Sequence, residues 1–414
     1  MTSEMRIAMI GPFGLRPKGT MSVRALPLAR ALVKRGHAVK IILPPWDFPQ
    51  DAGCKMQDGG VLVENIELPA PVPGLFHVNT TRRLIKCALD FRPDVIHCFK
   101  PKAYAGLSAW WLWQMKRVGA FRARLIVDTD DWEGWGGWND FGSGQPSTVN
   151  AQYSWSQKRL FAWQERWGLT HNDGVTVASR ALQSIVWSLG VKPERVAYVP
   201  NGVSNVEFGT RTPTGTLRSA ESTIHNPHSA FRILLYTRFF EFKVERVLEV
   251  LRRVLARIPD AHLLVVGKGF LGEEEHLLKQ AEALGLREHV EYAGWVDQTA
   301  LPDFFTQSNV AIYPFDDTLV NRAKCSVKLI DLLAAGIPVV ADAVGQNTEY
   351  IRHGETGLLV RSGDVDAMAD AVVDLLHDQE KATRLGMLAA QDVVERFSWD
   401  RLVADVEQVY GVRL

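Results

Sequence analysis

The sequence predicts an α/β protein made of two doubly wound parallel-sheet domains. Its 414 residues are more than one hydrophobic core usually holds, which favours two domains of roughly 200 residues each. Short strands rich in Val and Ile alternate with helix-period segments, as in a parallel sheet covered on both faces. The alternation stops at a polar stretch near the middle of the chain and then restarts. Because ligands of such sheets bind where the strands end, we expect a site in a central cleft that both domains face.

The composition excludes several other classes of protein. Hydrophobic residues make up 46% and charged residues 23%, an ordinary globular balance. The 47 basic residues equal the 47 acidic ones, which argues against a dedicated nucleic-acid binder. The 4 cysteines are scattered without a Cys-x-x-Cys pair, so a disulfide scaffold or zinc ribbon is not expected. The first apolar run is too short for a signal peptide, and no run of 18 apolar residues occurs. We therefore expect a cytoplasmic protein.

Residues 1–203 read as the first domain. Its predicted strands lie in RIAMIG, AVKIILPP, PDVIHCF, ARLIVD, GVTVAS and RVAYVPNGV, and its helices in SVRALPLARALVKRGH and YAGLSAWWLWQMKRVG. Residues 204–230 are polar, contain Pro and Gly and lack apolar periodicity, so they are predicted to be the linker. Residues 231–397 read as the second domain. It runs through RILLYTR, VERVLEVLRRVLARI, AHLLVVG, EEEHLLKQAEALG, HVEYAGWV, ALPDFFTQS, VAIYPF, KLIDLLAAG and PVVADAVG.

One glycine pattern is similar to the dinucleotide-binding fingerprint. Gly267-x-Gly269-x-x-Gly272 lies between a strand and a helix, and Glu291 follows near the spacing of a ribose-binding acid. The fingerprint normally follows the first strand of a domain, whereas here residues 232–258 form a complete strand–helix unit before it. A tight turn that enters a helix accounts for the glycines equally well. A nicotinamide-dependent dehydrogenase therefore stays only as an alternative.

A better signal is the pair Arg238 and Lys243 in YTRFFEFKVER. Both follow a buried strand, and Lys243 lies at the start of a helix. A forked guanidinium, a point charge and free helix N–H groups together suit a diphosphate. The alternative is a solvated pair of surface cations.

Further helix starts fall at the same predicted sheet edge. Ser326, Val327 and Lys328 open the helix in CSVKLIDLLAAG, and Asp331 is predicted on its first turn. The segment VGQNTEYI opens the next helix. Each helix start adds unpaired N–H groups and positive dipole. Asp331 could accept hydrogen bonds from ribose hydroxyls, or it could be an acid that the helix dipole favours.

These motifs together resemble a retaining glycosyltransferase of family 4, with the two-domain fold called GT-B. The resemblance covers nearly the whole chain. It rests on the clamp pair, VVGKG, VEYAGWVD, KLIDLLAAGIPVVA, TEYIRHGETGLLV, DGVTVASRAL, VAYVPNGV and RFSWDRL. It also implies that the closing helix, residues 398–414, packs back on the first domain.

The resemblance implies a donor site in the second domain and an acceptor site mainly in the first. A nucleoside diphosphate sugar would be the co-substrate, with retention of the anomeric configuration and with neither a metal nor a further cofactor. Arg238 and Lys243 would hold the diphosphate as charge builds on it. The other implied donor-binding residues are Gly19, Thr20, Gly267, Lys268, Trp295, Val296, Ser326, Val327, Lys328, Asp331, Gln346 and Asn347.

The chain departs from the family pattern in two places. Family members often carry two glutamates eight positions apart, where this chain has Ala323 and Asp331. Relatives with a K-x-S-x-K-L pattern, present here at 324–329, are expected to use it for similar work. Many relatives also carry His-Asp after the strand ARLIVD, where this chain has Asp130 and Asp131. A non-catalytic carbohydrate-binding homologue is therefore kept as an alternative.

The segment DTDDWEGWGGWND, residues 128–140, combines those aspartates with three tryptophans. We assign Asp130 and Asp131 to polar contacts with the transferred sugar or the acceptor hydroxyl, the alternatives being loop caps or a metal site. Trp132, Trp135 and Trp138 are predicted to stack on the acceptor, because flat aromatic faces suit sugar rings or lipid tails.

A second tryptophan cluster lies in the helix AWWLWQMKR, with Trp110, Trp111 and Trp113. It suits either a membrane interface or burial against the sheet. His97, after PDVI, is interpreted as a strand-end histidine with satisfied hydrogen bonds rather than as a base.

The sequence thus predicts a hexosyltransferase-type enzyme, with a nucleotide-sugar epimerase as an alternative. The acceptor is expected to be a saccharide, a lipid or a small molecule, and nucleic acid is not expected as a partner. Peripheral contact with the inner membrane face is a further expectation, which depends on a lipid acceptor.

Overall fold

The computed structural model describes residues 4–16, 19–139, 153–203 and 231–411. The chain forms two compact units. The first comprises Met1–Gly202, Arg322–Cys325 and Trp399–Leu414, and the second Val203–Asn321 and Ser326–Ser398. The predicted linker, residues 204–230, lies outside the described residues.

The first unit contains an eight-stranded sheet in the order β3-β4-β2-β1-β5-β6-β7-β8. Its strands are β1 (Arg6–Ile10), β2 (Ala38–Leu43), β3 (Lys55–Asp58), β4 (Val61–Asn65), β5 (Val95–Phe99), β6 (Arg124–Thr129), β7 (Gly174–Val177) and β8 (Val196–Tyr198). All neighbours are parallel except β3 and β4. The central strand β5 is buried along its whole length, which explains its continuous run of apolar residues.

Helices cover both faces of this sheet. They are α1 (Leu26–Lys34), α2 (Leu75–Asp90), α3 (Ala103–Arg117), α4 (Trp155–Thr170), α5 (Arg180–Ser188) and α14 (Trp399–Tyr410), and a π-helical turn (Met21–Ala25) leads into α1. The closing helix α14 packs with α1 in one hydrophobic cluster, to which it contributes Trp399, Leu402 and Tyr410. Helix α3 packs between α2 and α4.

The second unit contains a six-stranded parallel sheet in the order β11-β10-β9-β12-β13-β14. Its strands are β9 (Arg232–Tyr236), β10 (His262–Val266), β11 (Val290–Gly294), β12 (Val310–Tyr313), β13 (Val339–Asp342) and β14 (Leu358–Val360). Its helices are α6 (Val244–Leu255), α7 (Glu273–Ala283), α8 (Leu301–Thr306), α9 (Leu319–Ala323), α10 (Val327–Ala334), α11 (Asn347–Tyr350), α12 (Val365–His377) and α13 (Gln379–Phe397). The end of α9 is grouped with the first unit.

The strand orders place a topological switch point in each sheet. In the first unit the chain leaves β1 toward β2 and later returns to β5 on the other side of β1. In the second unit it leaves β9 toward β10 and returns to β12. The loops after β1 and β5, and those after β9 and β12, therefore diverge and open a crevice at each sheet edge. The predicted fold of two doubly wound α/β domains is confirmed.

Candidate active site

The two predicted clamp cations lie directly after β9. The Arg238 guanidinium carbon lies 5.0 Å from the ring centre of Phe270 and 5.7 Å from that of Trp295. These rings come from the loops after β10 and β11, so three strand ends fix one guanidinium. Lys243 is exposed and occupies the N-cap of α6. Neither cation has an ion-pair partner within the described residues, which leaves both charges available to an anion.

The loop between these cations has a constrained backbone. Phe239 adopts a left-handed φ of 72°, a conformation that bulky residues rarely adopt. Its N–H donates to Thr237 Oγ1 at 2.8 Å, and Thr237 N–H donates to the Val266 carbonyl at 3.0 Å. The buried ring of Phe239 packs in the unit's core. These contacts hold the turn that presents Arg238.

In the glycine turn after β10, backbone N–H groups already donate hydrogen bonds to glutamates at the start of α7. Gly267 has a φ of 132°, and a side chain there would collide with the Thr237 carbonyl. The N–H of Gly269 donates to Glu274 at 3.0 Å, and the N–H of Leu271 donates to Glu273 at 2.7 Å. In a dinucleotide site these amides would face the pyrophosphate. Carboxylates that already accept from the turn's amides argue against a dinucleotide there. Lys268 is exposed on the same turn.

Two tyrosines end the strands on either side of the switch point. Tyr236 closes β9 and Tyr313 closes β12, and both are buried. Burial raises the pKa of the Tyr236 phenol, and the nearby Asp331 carboxylate raises it further. Burial is also the first cause of the raised pKa of Tyr313, which Asp331 influences as well. The ammonium of Lys328 lies 5.0 Å from the Tyr236 ring centre. Strand ends and α10 thus bring these side chains together.

Several predicted donor residues support one another through hydrogen bonds. Ser326 N–H donates to Gln346 Oε1 at 2.6 Å, and its hydroxyl donates to Asn347 Oδ1 at 3.4 Å. The Asn347 side-chain amide donates to the Asp342 carbonyl at 3.0 Å. The backbone N–H of Asn347, one of the predicted donor-binding residues, donates to the Val344 carbonyl at 3.2 Å. These groups therefore connect the start of α10 to the turn before α11.

Asp331 lies on the second turn of α10, not on the first as the sequence predicted, because the helix begins at Val327. Val327 and Lys328 are half-buried, Trp295 is 53% exposed and Val296 is half-buried. The second unit thus brings the predicted donor residues that it contains to the carboxyl edge of its sheet, whereas Gly19 and Thr20 lie in the first unit.

In the first unit, Lys100 is the centre of an acidic cluster. Its ammonium lies 2.7 Å from Asp131, 3.5 Å from Asp130 and 3.7 Å from Glu133. Burial alone would lower the pKa of Lys100, but the three carboxylates outweigh it and raise that pKa well above its ordinary value. Lys102 lies 3.0 Å from Glu133 and supplies a second cation. The acids that follow β6 are therefore held by two lysines that follow β5.

Asp130 also connects the cluster to the loop after β1. Thr20 donates its hydroxyl to Asp130 Oδ2 at 2.6 Å. Burial alone would raise the pKa of Asp130, but Lys100 and Thr20 outweigh it and lower that pKa. Asp130 Oδ1 makes no hydrogen bond within the described part of the chain. The Gly19 N–H donates to the Ser22 hydroxyl at 3.0 Å, so it is used locally.

Glu165 of α4 is hydrogen-bonded to the loop after β6, which carries Asp130 and Asp131. Its Oε1 lies 2.7 Å from the Thr129 hydroxyl, which lies 2.9 Å from the Asp131 carbonyl oxygen. The backbone N–H of Glu133 donates to Oε2 of Glu165. The Thr129 hydroxyl has one proton and the carbonyl has none, so a neutral Glu165 carboxyl completes both contacts. Burial, followed by the nearby Glu133 charge, raises the pKa of Glu165 to about 8. Glu165 is therefore assigned as a neutral acid at pH 7.

A chain of buried hydrogen bonds runs from α14 across the sheet to the turn that precedes α1. Tyr410 OH lies 2.8 Å from His97 Nδ1, and His97 Nε2 lies 3.1 Å from the Thr176 hydroxyl. Thr176 donates to Asp128 at 2.6 Å, and Arg24 pairs with the same carboxylate at 2.6 Å. Because Thr176 gives its proton to Asp128, His97 donates from Nε2 and accepts at Nδ1. Burial lowers the pKa of His97 well below its ordinary value, which fits this neutral form. The hydrogen bonds of His97 are thus satisfied, as the sequence predicted, but the residue lies in the middle of β5 and not at its end.

The three loop tryptophans differ in their surroundings. Trp132 is buried, its Nε1 donates to the Trp135 carbonyl at 2.8 Å, and a side chain at Gly134 or Gly137 would collide with it. The glycines of the motif are thus explained by packing around Trp132. Trp135 is 68% exposed and Trp138 is half-buried, so Trp135 is the best placed of the three to stack on a sugar.

The residues that sequence reasoning missed are Lys100, Lys102, Glu165, Tyr236 and Tyr313. The tyrosines had a readable signal, since each ends a strand next to the switch point. The lysines also follow a strand, but the sequence does not show which acids they meet. Within the described residues, no cluster of three or more His, Cys, Asp or Glu side chains is arranged to hold a metal ion.

Comparisons with known proteins agree with this architecture. Residues 19–202 match the family model "Glycosyl transferase 4-like domain", and residues 222–392 match "Glycosyl transferases group 1". A phosphatidyl-myo-inositol mannosyltransferase of Mycobacterium leprae is 27% identical over 415 residues, which is 98% of this chain and 96% of that protein.

Solved structures show the same fold. Sucrose-phosphate synthase from Thermosynechococcus elongatus superposes with a TM-score of 0.71 at 20% identity, over 99% of this chain and 98% of that one. The catalytic domain of starch synthase IV from Arabidopsis thaliana gives a TM-score of 0.71 at 15% identity, over 99% of both chains. The two parallel-sheet units and these superpositions show the GT-B fold of glycosyltransferases. Among proteins of this fold, the chain belongs to family 4, the glycosyl transferases group 1.

The described helices give no sign of a membrane span, because none of them is both long enough and apolar enough to cross a bilayer.

Proposed function

We propose that the chain transfers a sugar from a nucleoside diphosphate sugar to an acceptor hydroxyl, with retention of configuration and without a metal ion. The observation that carries the proposal is the pair Arg238 and Lys243 at the switch point of the second sheet. Two cations with no ion-pair partner among the described residues suit a diphosphate whose charge grows as the sugar leaves.

The surroundings of Arg238 support a role in the transition state. Phe270 and Trp295 fix the guanidinium through ring contacts, which orient the charge without neutralising it. A donor that is already oriented needs no reorganisation when charge develops on the leaving group. Arg238 and Lys243 would thus do the work that a divalent ion does in metal-dependent transferases, so no cofactor besides the nucleotide-sugar is proposed.

The first unit is proposed to bind the acceptor. Asp130 and Asp131 would meet a hydroxyl of the acceptor or of the transferred sugar, and Lys100 would hold both carboxylates in place. Asp130 Oδ1 lies 3.5 Å from the Lys100 ammonium and makes no hydrogen bond to a described residue, so it would accept a hydrogen bond from such a hydroxyl. Trp135 would supply an exposed ring for stacking.

The proposed second-unit contacts follow the family resemblance. Asp331 would bind the ribose, the turn at Gly267 and Lys268 would border the base with Trp295 and Val296, and Ser326 would lie near the phosphates. The starch synthase structure was solved with ADP and acarbose, which supports a nucleoside diphosphate at this class of site. The mannosyltransferase relative acts on a phosphatidylinositol, so a lipid acceptor is among the candidates, with saccharides and small molecules. A cytoplasmic location, with peripheral membrane contact for a lipid acceptor, stays part of the proposal.

The test measures product and free nucleotide with a panel of nucleotide-sugars and acceptors. We expect Arg238→Ala and Lys243→Ala to lower transfer at least a hundredfold while the thermal unfolding stays as in the wild type. Lys279→Ala and Arg384→Ala, at exposed cations of the same unit, are the matched controls and should retain full activity.

Each contrary outcome has a distinct meaning. Wild-type turnover by both clamp variants would refute the clamp. Conversion of the donor sugar without any acceptor would indicate an epimerase, and nucleotide binding without release of nucleoside diphosphate would indicate a non-catalytic homologue. Inversion of the anomeric carbon in the product would contradict the proposed retention, and loss of activity after treatment with a chelator would contradict metal independence.

A further inference from the structure

Helices α3 and α4 present a row of aromatic side chains on their outer surface. Trp110 of α3 is 39% exposed and Trp163 of α4 is 46% exposed. The Trp163 and Trp167 rings lie 6.1 Å apart, Trp167 stacks on His171 at 4.4 Å, and His171 meets Trp113 of α3 at 6.0 Å. We call these five side chains the aromatic face. Ring contacts connect four of them from α4 to α3, and Trp110 lies one helical turn before Trp113 on α3.

The two helices hold this face rigidly. The Gln164 side chain accepts from the Ala103 N–H at 2.8 Å and donates to the Ala103 carbonyl at 3.0 Å, which fixes α4 to the start of α3. A side chain at Gly106 would crowd Pro101 and Gln164, so the close approach requires glycine there. The inner sides of both helices are therefore buried, and the tryptophans lie on the outer side of two helices that are fixed to each other.

On helices α3 and α4 the exposed charges beside the aromatic face are cationic, and the nearby Asp173 is paired with Lys116 of α3 at 2.6 Å. Arg159 and Arg166 are exposed on α4, spaced four and three residues from Trp163 and thus on the same side of the helix. Arg117 is exposed four residues after Trp113 on α3. The acid of α4, Glu165, is 1% exposed, and α3 contains no acid. The outer surface therefore combines indole rings with arginines and lacks exposed carboxylates on these two helices.

Such a surface fits the boundary of an anionic lipid bilayer. Indole rings favour the level of the lipid headgroups, where one side is apolar and the other wet. Arginines beside them are stabilised by the negative surface potential of a bilayer that contains anionic lipid. A sugar polymer would explain the aromatic rings but not the arginines, and a nucleic acid would explain the arginines but not the overall charge balance.

We propose that the aromatic face docks the first unit on a membrane surface that contains anionic lipid. The contact is peripheral, with the rings of Trp110 and Trp163 inserted at the headgroup level and Arg159 and Arg166 against lipid phosphates. The inference deepens the proposed function by naming a partner. It also stands apart from catalysis, because none of these side chains belongs to the candidate active site.

The experiment is co-sedimentation of the full chain with vesicles, in the absence of any donor. One set contains phosphatidylcholine alone and the other contains equal parts of phosphatidylcholine and phosphatidylglycerol. The double variants are Trp110→Ser with Trp163→Ser, and Arg159→Glu with Arg166→Glu. The controls are Trp187→Ser, at a tryptophan that is 41% exposed on α5, and Lys279→Glu with Arg384→Glu in the second unit.

We expect the wild type to bind the anionic vesicles and to bind phosphatidylcholine far less. Each basic residue at a membrane surface contributes about 1 kcal/mol, so the arginine variant should lower the partition coefficient at least tenfold. The tryptophan variant should lower it comparably on anionic vesicles, and both controls should bind as the wild type does. Added salt should weaken binding of the wild type.

Four results would overturn the inference, three in the vesicle assay and one in light scattering. The first three are a wild type that does not bind anionic vesicles, face variants that bind as well as the controls, and binding that is equal on neutral vesicles. If light scattering shows that the wild type is a dimer and the tryptophan variant a monomer, the face is a contact between copies, and the membrane proposal is wrong. Circular dichroism and thermal unfolding check that the variants fold. Because the assay contains no nucleotide-sugar, its outcome is independent of the test of glycosyl transfer.

Discussion

Replacing Glu165 with Gln tests whether a neutral acid supports the loop that carries Asp130 and Asp131. A glutamine has the shape of a protonated glutamate, so it can donate to the Thr129 hydroxyl and accept from the Glu133 N–H. The pKa of Glu165 is raised from 4.5 to about 8, and each pKa unit corresponds to about 1.36 kcal/mol. The raised pKa therefore corresponds to at most about 5 kcal/mol in the free energy of unfolding.

The sign of this effect follows from the direction of the shift. Below pH 4.5 the Glu165 carboxyl is neutral in both the folded and the unfolded chain, and its favourable contribution is complete. As the pH rises toward 8, the unfolded chain releases the proton while the folded chain keeps it, so the wild type loses stability across this window. Glu165→Gln does not titrate and should keep its stability.

The assay is thermal unfolding of the wild type and of Glu165→Gln at pH 5 and pH 8. We expect similar Tm values at pH 5, and at pH 8 a Tm for the variant higher by several degrees, up to roughly 10 °C for a unit of this size. Glu194→Gln, at an exposed carboxyl of the same unit, should follow the wild type. If the wild type and Glu165→Gln lose stability in parallel with pH, or if the variant is the less stable at pH 8, Glu165 is ionised and the assignment is wrong.

Two further predictions concern the second unit. Gly267→Ala should lower the free energy of unfolding by more than Gly285→Ala does. Both glycines have a positive φ, but a Cβ at Gly267 would collide with the Thr237 carbonyl, whereas nothing lies within 4 Å of a Cβ at Gly285. Paired denaturant titrations compare the two variants, and equal losses of stability would contradict the steric argument. Asp342→Asn should lower the free energy of unfolding by about 3 kcal/mol, because the carboxylate lies 2.7 Å from the mostly buried Arg246 and its removal leaves that cation with a weaker partner. If the variant keeps the Tm of the wild type at pH 8, the ion pair contributes nothing to stability.

The sequence was sufficient to predict both doubly wound sheets, because buried parallel strands such as β5 appear as unbroken apolar runs. It did not predict the antiparallel pair of β3 and β4 at the edge of the first sheet. The segment KMQD of β3 is almost entirely exposed, so it has neither an apolar run nor a clear alternation. Edge strands are held by backbone bonding to one neighbour, and composition does not record that.

The candidate site was predictable to the extent that it depends on strand ends and helix starts. Arg238 and Lys243 follow β9 directly, so their place at the sheet edge followed from the alternation alone. The partners of Asp130 and Asp131 were not predictable, because Lys100 is 31 residues from Asp131 along the chain. The inward orientation of Trp132 was also hidden, since the glycines that enclose it are equally typical of an open loop.

The most direct test of the clamp is calorimetric titration of nucleoside diphosphates and the matching monophosphates into the wild type, Arg238→Ala and Lys243→Ala. UDP, GDP and ADP are each compared with their monophosphates. The wild type should prefer the diphosphate, and each variant should lose roughly 10- to 100-fold in affinity for it while its affinity for the monophosphate changes little, as expected when a charged hydrogen bond worth about 1.5–3 kcal/mol is removed. Unchanged diphosphate affinity in both variants would contradict the account.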